Sequence, residues 1–387
     1  MLDEVHNSGH SSSLPGMILV LNSGSSSVKY RVLDLADPAA GDRGIVERIG
    51  EPGGVPDHAA ALEQVLDRID RAAVDAVGHR VVHGGSRFQA PTLIDDDVIK
   101  ALNDLVPLAP LHNPGGITGI EAARAKLPDV PHVAVFDTAF HATLPAAAAT
   151  YAIDRELAAR HGIRRYGFHG TSCAFVAGRA AGLLGRDVAE LHQIVLHLGN
   201  GASVTAVAGG RSVETSMGLT PLEGLVMGTR SGDLDPAIPG FLHRVAGLDF
   251  AGVDEVLLRR GGLLGLAGVN DMRTLLELRA AGDEAAGLAF DVYCHRIKKY
   301  VGAYHAVLGR LDTVVFTAGV GEHAAPVRAT VLDGLDMWGI AVDPARNDSP
   351  AKDARLISPD GAPVAVCVIP TDEELSIAEQ VTTLLAR

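Results

Sequence analysis

Aromatic side chains are scarce: one Trp, six Tyr and nine Phe make 4% of 387 residues. A core of the size this length allows must therefore be built mainly from Leu, Val, Ile and Ala. Cysteine is scarcer still. Cys173, Cys294 and Cys367 are scattered without the paired spacing of a zinc site or disulfide framework, which suggests a reduced, cytoplasmic protein. No apolar run approaches the ~20 residues that span a bilayer. Residues 1–16 are polar and lack a signal peptide's apolar segment, so they read as a disordered extension with Met17 opening the folded part. Positive charge is also in deficit, with 33 Lys and Arg against 47 Asp and Glu and a formal net charge of −14. That balance argues against nucleic acid or an anionic membrane as partner. An anionic substrate would need a local cluster of Arg, Lys and His.

What is present is ordinary in amount, 47% hydrophobic and 21% charged, and long enough for about two or three domains. Val/Ile/Leu runs mark strands at 18–21, 28–33, 74–83, 132–136, 194–198, 203–207, 313–317 and 364–369. Helical patterns lie between them. In 173–184, Phe175, Val176, Ala180, Leu183 and Leu184 share one face, with Thr171 or Ser172 as the N-cap. Residues 284–308 read as a long helix and 373–386 as a terminal one. The class is α/β.

The most informative segment is Ile18-Leu-Val-Leu-Asn-Ser-Gly-Ser-Ser-Ser-Val-Lys-Tyr30. A buried strand runs into a polar turn, Asn22 to Ser27, and a second strand carries Lys29 at its mouth. Gly24 would let amide N–H groups point into a concavity, the serines add hydroxyls and Lys29 adds charge, which together make a phosphate cradle. A serine-rich hairpin without a ligand is the plainer alternative. Ile194-Val-Leu-His-Leu-Gly-Asn-Gly-Ala-Ser-Val-Thr-Ala-Val207 repeats the arrangement, which suggests duplicated domains facing each other across a cleft. A third glycine turn follows a strand at Val314-Val-Phe-Thr-Ala-Gly-Val-Gly-Glu-His323.

Several residues have the chemistry to handle an anion. His79, Arg80 and His83 end a strand, where Arg80 is either an anion clamp or half of a structural ion pair. Arg230 lies in a glycine-rich loop and either reaches a ligand or makes a surface salt bridge. Asp137 ends the strand 132–136, where open α/β sheets bind ligands. His169 precedes a helix, as an anion ligand or as a packing group. Thr371-Asp-Glu-Glu374 fits a capping box, but Glu373 or Glu374 with Asn22 also offers the one or two oxygens that nucleotide-bound Mg²⁺ takes from protein.

Together these blocks resemble the acetate and butyrate kinase family over nearly all of residues 17–387. Leu19–Lys29 fits one family signature and Val77-Gly-His-Arg-Val-Val-His-Gly-Gly85 the other. Phe136–His141, Tyr166–Ser172, His197–Gly201, Thr215-Ser-Met-Gly-Leu-Thr-Pro-Leu-Glu-Gly224 and Pro370–Leu375 follow in family order. The resemblance implies two duplicated ribonuclease-H-like α/β domains of the actin-like ATPase and sugar kinase type, hinged around a central cleft. It implies an N-terminal domain of 17–141 plus 373–387, a nucleotide-binding and dimerisation domain of 142–372, and a hinge near 138–145. The implied reaction is ATP + acetate ⇌ ADP + acetyl phosphate, with Mg²⁺ (or Mn²⁺), in a cytoplasmic homodimer. Arg80 and Arg230 would bind carboxylate and phosphoryl group, His169 would stabilise the transition state, and Asp137 would orient the site. Asn22 and Glu373 would hold the metal. Lys29, His197, Leu198, Gly199, Asn200, Gly201, Asp271, Met272, Arg273, Gly319, Val320, Gly321, Glu322 and His323 would bind nucleotide. Val82, Leu111, Phe168 and Pro221 would enclose the methyl group. The chain departs from the family at His323, where Asn is frequent, and at Cys173, where His is frequent.

Propionate and butyrate kinases are the near alternatives. A sugar or polyol kinase would need a base for its hydroxyl nucleophile, and a nucleotide-gated scaffold of the actin or heat-shock type would need a polymerisation or peptide-binding segment.

Overall fold

The computed structural model describes residues 16–38, 41–110 and 112–387. These divide into two compact units. One takes the described residues up to Val81, then Ala90–Val135 and Glu374–Arg387; the other takes Val82–Gln89 and Phe136–Glu373.

Each unit is organised on a six-stranded mixed sheet. In the first, β1 (Met17–Ser23), β2 (Ser27–Asp34), β3 (Arg43–Glu47), β4 (Ala76–Val81), β5 (Thr92–Leu93) and β6 (His132–Phe136) lie in the order β3-β2-β1-β4-β6-β5. In the second, β7 (His192–Leu198), β8 (Ala202–Ala208), β9 (Arg211–Thr215), β10 (Thr313–Thr317), β11 (Arg355–Leu356) and β12 (Ala365–Val368) lie in the order β11-β12-β10-β7-β8-β9. Read from its other edge, the second order repeats the first. Each begins with a three-stranded antiparallel meander, β1–β2–β3 or β7–β8–β9. The first strand of each then pairs in parallel with a crossover strand, β4 or β10. A two-residue antiparallel edge strand, β5 or β11, closes each sheet. The likeness of 18–30 to 194–207 is thus the visible part of a six-strand repeat.

The cores are aliphatic, as the aromatic shortage requires. Leu19, Leu21, Val28, Val77, Leu62 and Val65 fill the first unit, with the helix His58–Leu66 against the meander. In the second, Ile194, Leu196, Val204, Val314 and Val366 meet the long helix Glu284–Leu308 through Phe290, Ile297 and Val301. The terminal helix Glu373–Leu385 lays Ile377 and Val381 on the first sheet. A Cβ at Gly78 of β4 would come within 2.8 Å of Ile377 Cγ2, so glycine sets how closely that helix can lie.

Four local expectations need correction. β1 continues through Asn22 and Ser23, leaving Gly24–Ser26 as the turn. Gly24 does not take a positive φ. The crowded glycine is Gly115, whose Cβ would meet the Gly24 backbone at 2.7 Å; Gly119 likewise clears the Ser23 hydroxyl. The helix expected to be capped by Thr171 or Ser172 runs from Gly170 to Leu184, with His169 as N-cap in the left-handed region at φ 57°. Its buried face is Cys173, Val176, Ala177, Ala180 and Ala181, packed against Val195, Val207 and Val315, so Val176 and Ala180 of the expected face are buried whereas Leu183 is exposed. Finally, the third glycine turn does follow its strand, β10, but as a short helix, Ala318–His323.

Candidate active site

The second unit gathers most of the polar candidates around the Gly199–Gly201 turn that joins β7 to β8. The space a Cβ would fill at Gly201 lies 3.5 Å from both Arg230 Nη1 and His169 Nε2. Both distances are ordinary van der Waals contact, so the guanidinium, the imidazole and the glycine turn border one shared space. Arg230 is held, not loose. Its Nη1 donates to Pro221 O at 3.0 Å, and its loop is tied down by Leu263 N to Met227 O (2.9 Å) and Gly261 N to Thr229 O (3.0 Å). Gly262, at φ +61°, allows that close approach, since a Cβ there would lie 2.1 Å from Met227 O. Burial lowers the Arg230 pKa from its usual value. A cation partly stripped of water and fixed at one end is suited to a negatively charged ligand.

His169 and His197 stack with centroids 4.1 Å apart and planes 22° apart. Ser203 Oγ lies 3.0 Å from His169 Nδ1, and Ser172 Oγ lies 2.8 Å from His197 Nδ1. Ser172 Oγ also pairs with Thr371 Oγ1 at 2.7 Å, and Thr371 N donates to Glu322 Oε1 at 3.2 Å. Asp137 is 1% exposed; its carboxylate accepts from the Thr171 hydroxyl at 3.4 Å and its carbonyl from Gly170 N at 2.8 Å, fixing the start of the His169 helix. Beside it, burial pushes the Cys173 thiol up to about 12, with the carboxylates of Glu373 and Asp137 adding to the effect. Cys173 is therefore a neutral packing group among two carboxylates.

The turn leads into a cavity of about 500 Å³. Of the residues expected at the nucleotide, Gly199, Asn200, Asp271, Met272, Arg273, Gly319, Val320 and His323 line it. His197, Leu198, Gly201, Gly321 and Glu322 are not among its lining residues, and the Glu322 carboxylate is engaged with Thr371. Gly228, Leu263, Asn270, Leu276, Tyr293 and Ala324 also line the cavity and were not anticipated. Gly228 had a legible reason in its glycine-rich loop, since any Cβ there would collide with Asn200 Oδ1. Tyr293 and Leu276 sit mid-helix among apolar residues, where nothing local marks them. Asp271 caps the helix Met272–Ala280 and grips Arg273 at 3.0 and 2.6 Å, so Arg273 holds its carboxylate below the usual range.

Of the candidates for the methyl group, Phe168 is buried in the second core and Val82 packs against that core. Pro221 supplies the carbonyl that anchors Arg230. Leu111 lies outside the described residues. His83 packs edge-on to Tyr166 and Phe168, at 4.6 and 5.5 Å, and burial lowers its pKa to about 4.

The remaining candidates belong to the first unit. Asn22 on β1 faces exposed Lys29 across the β1–β2 ladder. Arg80 is half-buried, one residue from the end of β4. Among the described residues no helix is long and apolar enough to cross a membrane, and no group of three or more His, Cys, Asp or Glu is placed to hold a metal.

Residues 17–379 match the model of the Acetokinase family. An acetate kinase of Streptomyces griseus is 56% identical over an alignment covering 96% of this chain and 97% of that protein. One of Clavibacter michiganensis is 56% identical, covering 94% and 98%. The crystal structure of Porphyromonas gingivalis acetate kinase superposes with a TM-score of 0.90 at 40% identity, covering 96% of this chain and all of that one. A propionate kinase from Francisella tularensis superposes at 0.89 and 39% identity, over 94% and 98%. A match that runs the length of both partners, on a fold whose two halves repeat the same strand order, makes this chain a member of the acetokinase family.

Proposed function

We propose that the protein is an acetate kinase, transferring the terminal phosphoryl group of ATP reversibly to acetate and giving acetyl phosphate and ADP. The observation that carries this reading is the convergence of Arg230 and His169 on the glycine turn whose Gly199 and Asn200 line the cavity. Acetate is already ionised at neutral pH, since carboxyl groups titrate near ~4. No base is required to make the nucleophile. The obstacle is repulsion between a carboxylate and a triphosphate, and fixed positive charge is the remedy. Arg230 and Arg80 supply it, His169 donates to an equatorial oxygen, and Asp137 orients the His169 helix without accepting a proton.

Asn22 and Glu373 are the residues that would each offer Mg²⁺ a hard oxygen, and Glu373 lies with Asp137 in a neighbourhood already rich in negative charge. When bound, the ion would neutralise charge on the phosphoryl oxygens. The cavity is the nucleotide site in this reading, with Asp271–Arg273 and Gly319–His323 around ADP. We also infer a cytoplasmic homodimer. The helix Ile238–Ala246 presents Ile238, Phe241 and Val245 to solvent, and Phe250 beside it is 87% exposed, an apolar face of the kind a second copy covers.

Trapping acetyl phosphate as its hydroxamate, with ATP, Mg²⁺ and acetate present, tests the reaction; no product above a protein-free control would refute it. Propionate is the second reading, because one methylene is worth only ~1–3 kcal/mol in an apolar pocket. Relative turnover on acetate, propionate and butyrate decides between them.

A further inference from the structure

The two stacked imidazoles are held in a crossed arrangement. Ser172, three residues after His169, bonds the Nδ1 of His197; Ser203, which pairs with His197 across β7–β8, bonds the Nδ1 of His169. Each histidine is thus oriented by a serine that belongs to the other's segment. Both rings then turn Nε2 toward the same glycine turn: His169 Nε2 lies 3.5 Å from the Cβ position of Gly201, and His197 Nε2 lies 4.0 Å from that of Gly199.

From this geometry we propose that Ser203 and Ser172 are positioning residues that hold both histidines as neutral Nε2–H tautomers, giving the phosphoryl group two parallel N–H donors. The inference deepens the kinase reading above and rests on it for the identity of the ligand. Its physical basis is the placement of the hydroxyl protons. Ser203 is fully buried, and its hydroxyl bonds His169 Nδ1 and no other group among the described residues. A buried hydroxyl proton needs an acceptor. The Nδ1 lone pair supplies one, and an Nδ1 that accepts leaves the ring's proton on Nε2. Ser172 is likewise fully buried between Nδ1 and the Thr371 hydroxyl. With Thr371 donating to Ser172 and Ser172 to His197, every proton in that chain has a receiver.

Two further facts favour neutral rings. The group at each Nδ1 is a serine hydroxyl, which suits a neutral ring because it brings no counter-charge of its own. Stacked at 4.1 Å, two imidazolium rings would repel each other, and the Arg230 guanidinium approaching the same turn repels both. The donors are therefore charge-free N–H groups, and the net positive charge comes from arginine.

The test begins with the unaltered protein. Long-range ¹H–¹⁵N correlation spectra of the histidine-labelled enzyme at neutral pH, assigned with His169→Gln and His197→Gln, report which ring nitrogen carries the proton. The expected pattern is Nε2–H with unprotonated Nδ1 for both rings. An Nδ1–H tautomer or an imidazolium at either ring would overturn the proposal. Ser203→Ala should lower kcat roughly tenfold while leaving KM for acetate and ATP within about twofold, with the His169 signal moving to a tautomer mixture. Ser203→Thr, which keeps the hydroxyl, should restore most of kcat. A Ser203→Ala enzyme with unchanged kcat and unchanged tautomer would sink the positioning role. Acetyl phosphate formation by the unaltered enzyme is unaffected by these outcomes, so the kinase reading and the tautomer assignment fail separately.

Discussion

The two glycine hairpins occupy equivalent places in equivalent sheets, yet they meet water differently. In β1–β2 the turn serines Ser25 and Ser26 and Lys29 are exposed, and the hairpin is backed by the backbone-close glycines Gly115 and Gly119. In β7–β8 nearly every side chain is buried, and His169, His197 and Arg230 crowd the turn. One topology therefore carries a wet, flexible-chain cation in one copy and dry, pre-oriented donors in the other. Duplication supplies the frame; what packs behind each turn decides its chemistry.

The largest expected effect tests that contrast directly. Removing a fixed donor aimed at developing charge costs about 2–4 kcal/mol. Arg230→Ala and Arg80→Ala should each lose at least about a hundredfold in kcat, whereas Lys29→Ala, exposed and mobile, should mainly raise KM for ATP. Steady-state kinetics with saturating acetate separates the outcomes, and a near-normal rate for either arginine variant would remove that residue from the chemistry.

Next comes acid sensitivity. Burial holds His83 and His141 down to about 4 against an ordinary 6.5. The unfolded chain takes up these protons first, so both contributions are intact above pH 6.5, fade as pH falls, and are gone near pH 4. Each is of the order of 3 kcal/mol at most. In the first unit, burial lowers His79 well below its usual value beside His132, which bonds it at 3.0 Å. Both units should therefore weaken together between pH 6.5 and 4. Denaturant midpoints that stay level across that interval would contradict the neutral, buried assignment.

Glycine substitutions give smaller effects of opposite kinds. Gly115→Ala pushes a methyl against the Gly24 backbone at 2.7 Å and should cost about 1–3 kcal/mol in thermal unfolding. Gly319, helical and with nothing within 4 Å of its Cβ position, should tolerate Ala or gain up to about 1 kcal/mol. Because Gly319 lines the cavity, the same variant should raise KM for ATP. Stability that falls at Gly319 but not at Gly115 would reverse the picture of which position is limited by backbone crowding. Smallest is the thiol: with Cys173 buried and pushed up to about 12, iodoacetamide at pH 8 should leave activity within about twofold.

The eight strands legible as apolar runs are β1, β2, β4, β6, β7, β8, β10 and β12, and every one has a strand on both sides. The four unseen ones, β3, β5, β9 and β11, are the four sheet edges. An edge strand packs against fewer neighbours, so Arg43–Glu47 and Arg355–Leu356 have no need of a Val/Ile run. The candidate site divides the same way. Arg230, His169 and Asp137 were legible because a charged group beside glycine or at a strand's end contradicts its surroundings. Ser203 and Tyr293 were not: a serine in an apolar strand and a tyrosine in a long helix look like packing until tertiary structure brings a histidine or a cavity to them. The helix after His169 starts earlier than its sequence signals for a related reason. Local rules favour Thr or Ser as a cap, but the Asp137 carbonyl takes the Gly170 N–H and advances the first turn.

The chain's passage between units has a consequence for biosynthesis. The first sheet includes strands made early, yet the helix that covers Gly78 of β4 is encoded by the last residues of the chain. Emerging from the ribosome, the early part of the first unit must wait, with one apolar surface bare, while almost the whole second unit is translated. The portion that begins first is completed last, and loss of the segment from Glu374 onward would strip the first unit of its covering helix while sparing the second.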